Sequence, residues 1–416
     1  MTKHYLWQYQ QWNVQHLHTA AGEPLTIVDP GRIHSNQGPD FVEAKIRIDN
    51  VLFIGTVEIH VCTSDWYKHR HEVDPNYTNV ILHVVWQHDQ PQSPGNRPLL
   101  ELQGRVPKFI LSRYEYWLTH QEYIPCGKQA QLAPTLIWTS WKDRLLAERL
   151  EEKCIALLRQ RLEYRKTWNE IYWQILARTM GGPVNGFAFE QMAVHLPSHL
   201  LQQNNAESER LEALILGCLG LLNFPFRETY PRHLQQRYQQ LKMEYSVREI
   251  SQPVYFLRMR PGNFPSLRAA QVAAWWTSRQ LDVTATLPNS TWAELRDSFQ
   301  ISASSYWDHH YRLDHPSAYC HKRTGLQWAD SIVINACVPV LFALGRENGE
   351  PSWEEQALSW LSAMQAEKNS IIRKLSLLNI PVASAADSQA LLQLKNKYCN
   401  KKLCLDCAIG VWLLKS

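Results

Sequence analysis

GPDFVEAKIRIDNVLFIGTVEIH, residues 38–60, decides the reading of this chain. From Ala44 to Ile48 apolar and polar residues alternate, the period of a half-buried strand. Asp49-Asn50 is a two-residue turn signal, and Val51–Val61 resumes strand character, so the stretch reads as a β-hairpin. A hairpin sets the start of its first strand beside the end of its second, which brings Asp40 towards Glu58. Glu58 and His60, two apart on one strand, project from the same face. Two carboxylates and an imidazole gathered this way can hold a hard divalent cation, Mg²⁺ or Mn²⁺.

Outward from the hairpin, Leu25–Val28, Val80–Trp86 and Leu99–Leu102 read as further strands, the second apolar enough for a sheet interior. From about Trp138 the apolar spacing becomes helical, as in Leu145, Leu146, Leu150, Ile155 and Leu158. Helices are predicted at 168–180, 186–195, 207–222, 231–243, 266–280, 291–298, 328–345, 352–366, 368–377 and 387–398. The fold class is α+β: a small mixed-sheet domain over residues 1–125, then a mostly helical region over 138–416, divided by PCGKQAQLAP (125–134).

With 416 residues the chain can build more than one core, and its 17 tryptophans suit thick cores or stacking surfaces. A formal charge of +4 does not by itself imply nucleic acid. After Met1 no apolar export segment follows, which predicts a cytoplasmic, reducing setting. The most apolar run, Ile332–Leu344, is interrupted and short, and reads as a core helix with no role at a membrane. Oligomeric state is not legible.

After the hairpin comes SDWYKHRHEVDPNY (64–77), and His83 lies in the next strand. His69, His71 and Asp74 are expected to surround the hairpin cluster; Asp65 can equally cap a short helix. At the far end Cys399, Cys404 and Cys407 form C-x₄-C-x₂-C, the spacing of the first three plant-type ferredoxin ligands. Three soft donors can hold an iron–sulfur cluster, or zinc with a remote partner from Cys126, Cys320, His321 or Cys337. They can also be ordinary core thiols. The three are expected to converge at the start of a final helix, where its N-terminus, Lys401 and Lys402 would favour thiolates. Arg258, Arg260 and Arg268 around RPGNFP can contact phosphates beside Phe264, or can brace a loop.

Pro39-Asp40 before one strand and Glu58-x-His60 on the next resemble the PD-(D/E)XK nuclease superfamily. The resemblance implies that Asp40 and Glu58 bind Mg²⁺ or Mn²⁺, with His60 in the place of the superfamily lysine. Neutral imidazole can serve there as base near neutral pH. Over nearly its whole length the chain also resembles a bacterial domain-of-unknown-function family, number 2851. The residues that carry this are GPDF (38–41), VEIH (57–60), SDWYKHRH (64–71), NVILHVV (79–85), RPGNFPSLRAAQ (260–271), SQALLQLKNKYC (388–399) and CLDCAIG (404–410). That family is expected to carry an acid shortly before the first tryptophan, where this chain has Lys3 and His4. The resulting expectation is a metal-dependent nuclease or a nuclease-derived nucleic-acid binder. The alternatives are a non-catalytic scaffold and a small-molecule hydrolase using His60, His69 and His71.

Overall fold

The computed structural model describes residues 2–10, 12–34, 38–106, 108–120, 122–277 and 279–416. The chain is α+β and divides into two compact units. The first holds residues 1–141, 378–380 and 394–416; the second holds 142–377 and 381–393. The C-terminal segment, placed with the helical region by sequence order, packs with the N-terminal sheet.

The sheet of the first unit has seven strands: β1 (Leu17–His18), β2 (Pro24–Asp29), β3 (Arg32–Ile33), β4 (Phe41–Ile48), β5 (Val51–Cys62), β6 (Val80–Gln87) and β7 (Leu99–Glu101). Its order is β1-β2-β4-β5-β6-β7, with β3 also on β4. β4 and β5 form the predicted hairpin, Ile48 opposite Val51. Asp49 takes φ +51°, the left-handed conformation that tight hairpin turns require at their first position. β6 and β7 join in parallel. A parallel return needs a crossover, and 63–79 supplies it with the short helix Asp65–Lys68 and the turn Pro75–Tyr77. The inner end of β5 is buried on both faces: Val57 and Ile59 on one, Glu58 and His60 on the other. The short strands β1 and β3 and the helices Thr2–Gln8 and Lys108–Thr119 carried no sequence signal strong enough to place them.

The second unit is helical, its elements close to the predicted bounds: Trp168–Met180 falls on its predicted residues, and 328–345 lies inside Leu326–Asn348. Two π-turns, Val333–Cys337 and Leu394–Cys399, interrupt or extend predicted helices. Leu326–Asn348 is longer than its apolar run and, among the described residues, is the one helix with the length and composition to cross a membrane. Its most apolar stretch is 78% buried inside the fold. Tryptophans fill this core, with Trp173 and Trp276 meeting edge to face at 5.2 Å.

Candidate metal centre in the sheet

The buried end of β5 gathers one carboxylate and four imidazoles. Parallel pairing sets Glu58 opposite His83, and His83 Nε2 lies 2.9 Å from His60 Nδ1. The other nitrogen of His60, Nε2, lies 3.1 Å from His69 Nδ1 and 3.3 Å from Glu58 Oε1. His71 Nε2 is 3.7 Å from the same carboxylate oxygen. Ligand atoms of His60, His69 and His71 all fall within 4.8 Å of one another. The left-handed Arg70 (φ +60°) lies between His69 and His71 at the chain reversal that follows the short helix.

Behind these donors the packing is rigid. Trp66, fully buried, meets His60, His71 and His83 with its ring, and the Arg97 guanidinium covers it at 4.7 Å. Tyr77 stacks on His71 at 3.7 Å. Asp74 accepts the Asn76 N–H at 2.9 Å and so caps the turn that carries Tyr77. Asp74 therefore stands behind His71 and steers it through Tyr77. Asp65 accepts the Cys62 N–H and pairs with Lys68, which fixes the start of the crossover without a side-chain cap from Ser64.

Asp40 does meet Glu58, as the hairpin requires: the Asp40 N–H donates to Glu58 Oε2 at 3.1 Å. Its own carboxylate accepts the Ile59 N–H at 3.1 Å and is in contact with His4 Nε2 at 3.0 Å. His4 thus reaches the cluster from the position where the family resemblance led us to expect an acid; the side chain of Lys3 lies outside those described. His69 and His71, expected as an outer layer, are in direct contact with the donor set. His4 was not singled out, because its approach depends on how the first helix packs.

Burial fixes the chemistry of these groups. His60 is 1%, Glu58 5% and His71 8% exposed, while His69 is exposed. His71 is held below the ordinary imidazole pKa, first by burial and then by the neighbouring His69. Burial pushes the Tyr77 phenol to about 12, helped by Glu58 and Asp40. Neutral imidazoles with buried nitrogens are the form that ligates metals. Around a tetrahedral ion with bonds of about 2.0–2.1 Å, neighbouring donors stand about 3.3 Å apart. The 3.1, 3.3 and 3.7 Å separations fit that spacing. An imidazole-rich set suits a transition-metal ion such as Zn²⁺ or Mn²⁺ better than the all-oxygen Mg²⁺. His83 would fix the tautomer of His60, leaving Nε2 for the ion.

The other expected residues lie elsewhere. Arg258 and Arg260 are exposed in the second unit. Arg268 does not join them: it is buried, donates to Gln271 and Asn263 at 2.9 and 2.7 Å, and stacks on Trp328. Cys404 and Cys407 are buried, and with Cys399 they belong to the first unit. The expected thiolate bias is reversed by burial, which pushes Cys404 to about 12, Cys407 to about 11 and Cys399 well above its ordinary value.

Fold and site together define an α+β protein with an imidazole–carboxylate cluster sunk into the end of a mixed sheet. The chain belongs to the family described as Protein of unknown function (DUF2851), which matches residues 2–370. The match stops short of Ser388–Cys399 and Cys404–Gly410, two of the segments that suggested it. No curated protein and no solved structure matches the chain. The family description names no activity, and the comparisons lend no support to the nuclease resemblance read from Pro39, Asp40, Glu58 and His60.

Proposed function

We propose that this chain is a metal-dependent hydrolase of phosphodiesters, its ion held by Glu58, His60, His69 and His71. The observation that carries the reading is the convergence of three imidazoles at ligand spacing, with the Glu58 carboxylate against two of them. A divalent ion there supplies Lewis acidity towards a phosphoryl oxygen and lowers the pKa of water. The protein supplies the rest. His83 orients His60, Trp66 and Tyr77 keep the rings from turning, and Asp40 with His4 forms a partly exposed pair able to accept the proton of an attacking water. The pattern Pro39-Asp40 and Glu58-x-His60, similar to the nuclease pattern but with histidine in place of its lysine, supports nucleic acid as the substrate class.

One observation favours a second reading. Four protein donors leave a tetrahedral ion no open position, the mark of a structural site. A scaffold or nucleic-acid binder would then keep the sheet without turnover. His69, the exposed donor, is the one able to yield its place.

The test combines metal analysis of the purified chain with cleavage of labelled single- and double-stranded DNA and RNA in Mn²⁺, Zn²⁺ and Mg²⁺. The hydrolase reading expects cleavage that falls at least 100-fold in Asp40→Ala and Glu58→Ala, and metal lost in His60→Ala. Bound metal without cleavage supports the structural reading. Activity indifferent to both acid substitutions sinks the assignment.

A further inference from the structure

Nine cysteines are spread along the chain, and four of the five in the first unit lie on segments that pack together. Cys126 caps the turn Gly127–Leu132, which packs against the last helix, Ala408–Lys415. Cys407 is the N-cap of that helix, Cys404 opens the turn just before it, and Cys399 ends the π-turn before that. Backbone bonds fold this segment on itself: Lys402 N–H to Cys399 at 3.1 Å and Leu403 N–H to Tyr398 at 3.0 Å. Lys395 ties it to the Tyr123 carbonyl at 2.6 Å, and the Trp141 and Tyr398 rings meet at 5.2 Å.

The thiols feel one another. Burial raises the pKa of Cys126 and Cys399 first of all; Cys404 and Cys407 add to the rise at both, and Cys126 adds to it at Cys399. The Ile409 and Gly410 N–H groups, in the first turn of the last helix, and the Trp141 indole lie beside the Cys407 sulfur and offset part of the rise that burial causes. Lys395 and Lys402 direct positive charge at Cys399 and Cys404. Donors and cations aimed at buried sulfur are what a metal-bound thiolate needs, because its negative charge must be offset away from water. As free groups Cys404 and Cys407 are buried and Cys126 and Cys399 half-buried, and burial holds all four protonated.

We infer that Cys126, Cys399, Cys404 and Cys407 ligate one thiophilic metal centre, which fastens the C-terminal segment to the sheet unit. Binding of zinc, or of a cluster core assembled from sulfide with ferrous and ferric iron in equal parts, replaces each S–H proton by a metal–sulfur bond and releases the protons to solvent, with no net change of oxidation state. The two chemistries that suit four thiolates are a single zinc ion and an iron–sulfur cluster. Zinc with bonds of about 2.3 Å draws four sulfurs to about 3.8 Å of one another. Among the described residues no three of the sulfurs close within 4.8 Å of one another, as zinc would draw them. Cysteines on separate irons of a cluster accept that wider spread, so the iron–sulfur form is the expected one.

The experiment is purification of the full chain without oxygen, then iron, sulfide and zinc analysis, with reconstitution by sulfide with ferrous and ferric iron in equal parts, or by zinc alone. Expected is one centre per chain: a brown chromophore with iron and sulfide or, in the zinc arm, one tightly held ion beyond any at the histidines. Cys126→Ser and Cys404→Ser each lose it, and His60→Ala keeps it. Cys62→Ser and Cys320→Ser, carried through the same preparation, keep it too and control for general thiol damage. Circular dichroism separates a lost ligand from a lost fold. Full metal content in Cys126→Ser removes Cys126 from the set, and a chain that takes up neither metal in either arm overturns the centre.

Discussion

At the scale of single residues, His83 shows how much of the site depends on a neighbour. Its Nε2 holds His60 Nδ1 at 2.9 Å from inside the sheet, where it is fully buried. Removing such an outer partner typically costs 10–100-fold in metal affinity, because the ligand ring loses its tautomer and its aim. His83→Ala is therefore expected to bind Zn²⁺ or Mn²⁺ about 10–100-fold more weakly by calorimetric titration, with the circular dichroism spectrum retained. Unchanged affinity would show that His60 is not aimed by His83. Sequence made Asp40, Glu58 and His60 legible because turn chemistry and period bring the two strand ends together, although the β-bulge between Phe41 and Ala44 that sets the final register was not visible. His83 was visible as a strand residue but not as a partner, since that needs the parallel register of β5 and β6. His4 was invisible as a contact, since nothing local says where the first helix packs.

At the scale of elements, two features decide outcomes that the pattern of apolar residues does not. Gly55 lets β5 approach β6: a Cβ there would lie 2.5 Å from Ile81 Cγ2 and 2.8 Å from the Asn79 carbonyl. That carbonyl already accepts both donors of Thr56 at 3.0 and 2.9 Å, so it has little room to move. Gly55→Ala is expected to cost about 1–3 kcal/mol, as overpacking does, and to weaken metal binding by shifting His83 against His60. Urea melts with and without metal measure both effects. In the second unit the helix Ser208–Cys218 buries Glu212, which accepts the Trp307 indole N–H at 2.8 Å. Burial raises its pKa from 4.5 to about 7. The folded chain therefore holds this proton more tightly than the unfolded chain. Its contribution is fully present below pH 4.5 and declines as pH rises to about 7. The decline amounts to about 3 kcal/mol at the most. Glu212→Gln is expected to flatten that part of the stability–pH curve, and a curve that falls as before would assign the dependence to another group. Composition could not reveal Glu212, because a glutamate in RLEALILGC looks like the polar edge of an amphipathic helix.

At the scale of the whole molecule, chain order and unit membership part company at the C-terminus. Helix lengths and the α+β class were legible because 3.6-residue and two-residue periods are local. The return of residues 394–416 to the first unit is a long-range choice with no local period. Energetics nevertheless demand it. Leu394, Leu405, Ile409, Leu413 and Leu414 are each less than 5% exposed, and Arg113 donates to the Leu413 carbonyl. Five aliphatic side chains at about 1.5–3 kcal/mol each amount to about 10 kcal/mol of burial. That is comparable to the whole stability of a typical domain, about 5–15 kcal/mol. A chain ending at residue 393 is therefore expected to leave the sheet unit unfolded or molten while the helical unit, which keeps all its own residues, still melts cooperatively. Hydrogen exchange resolves the two: amides of β4, β5 and β6 should lose protection, and those of Trp168–Met180 should keep it. The metal ligands in β5 would lose their geometry with the sheet, so the truncated chain should also fail to bind Zn²⁺ or Mn²⁺ although Glu58, His60, His69 and His71 are all present. Full protection of β5 in the truncated chain would show that the N-terminal residues hold the sheet without the returning segment.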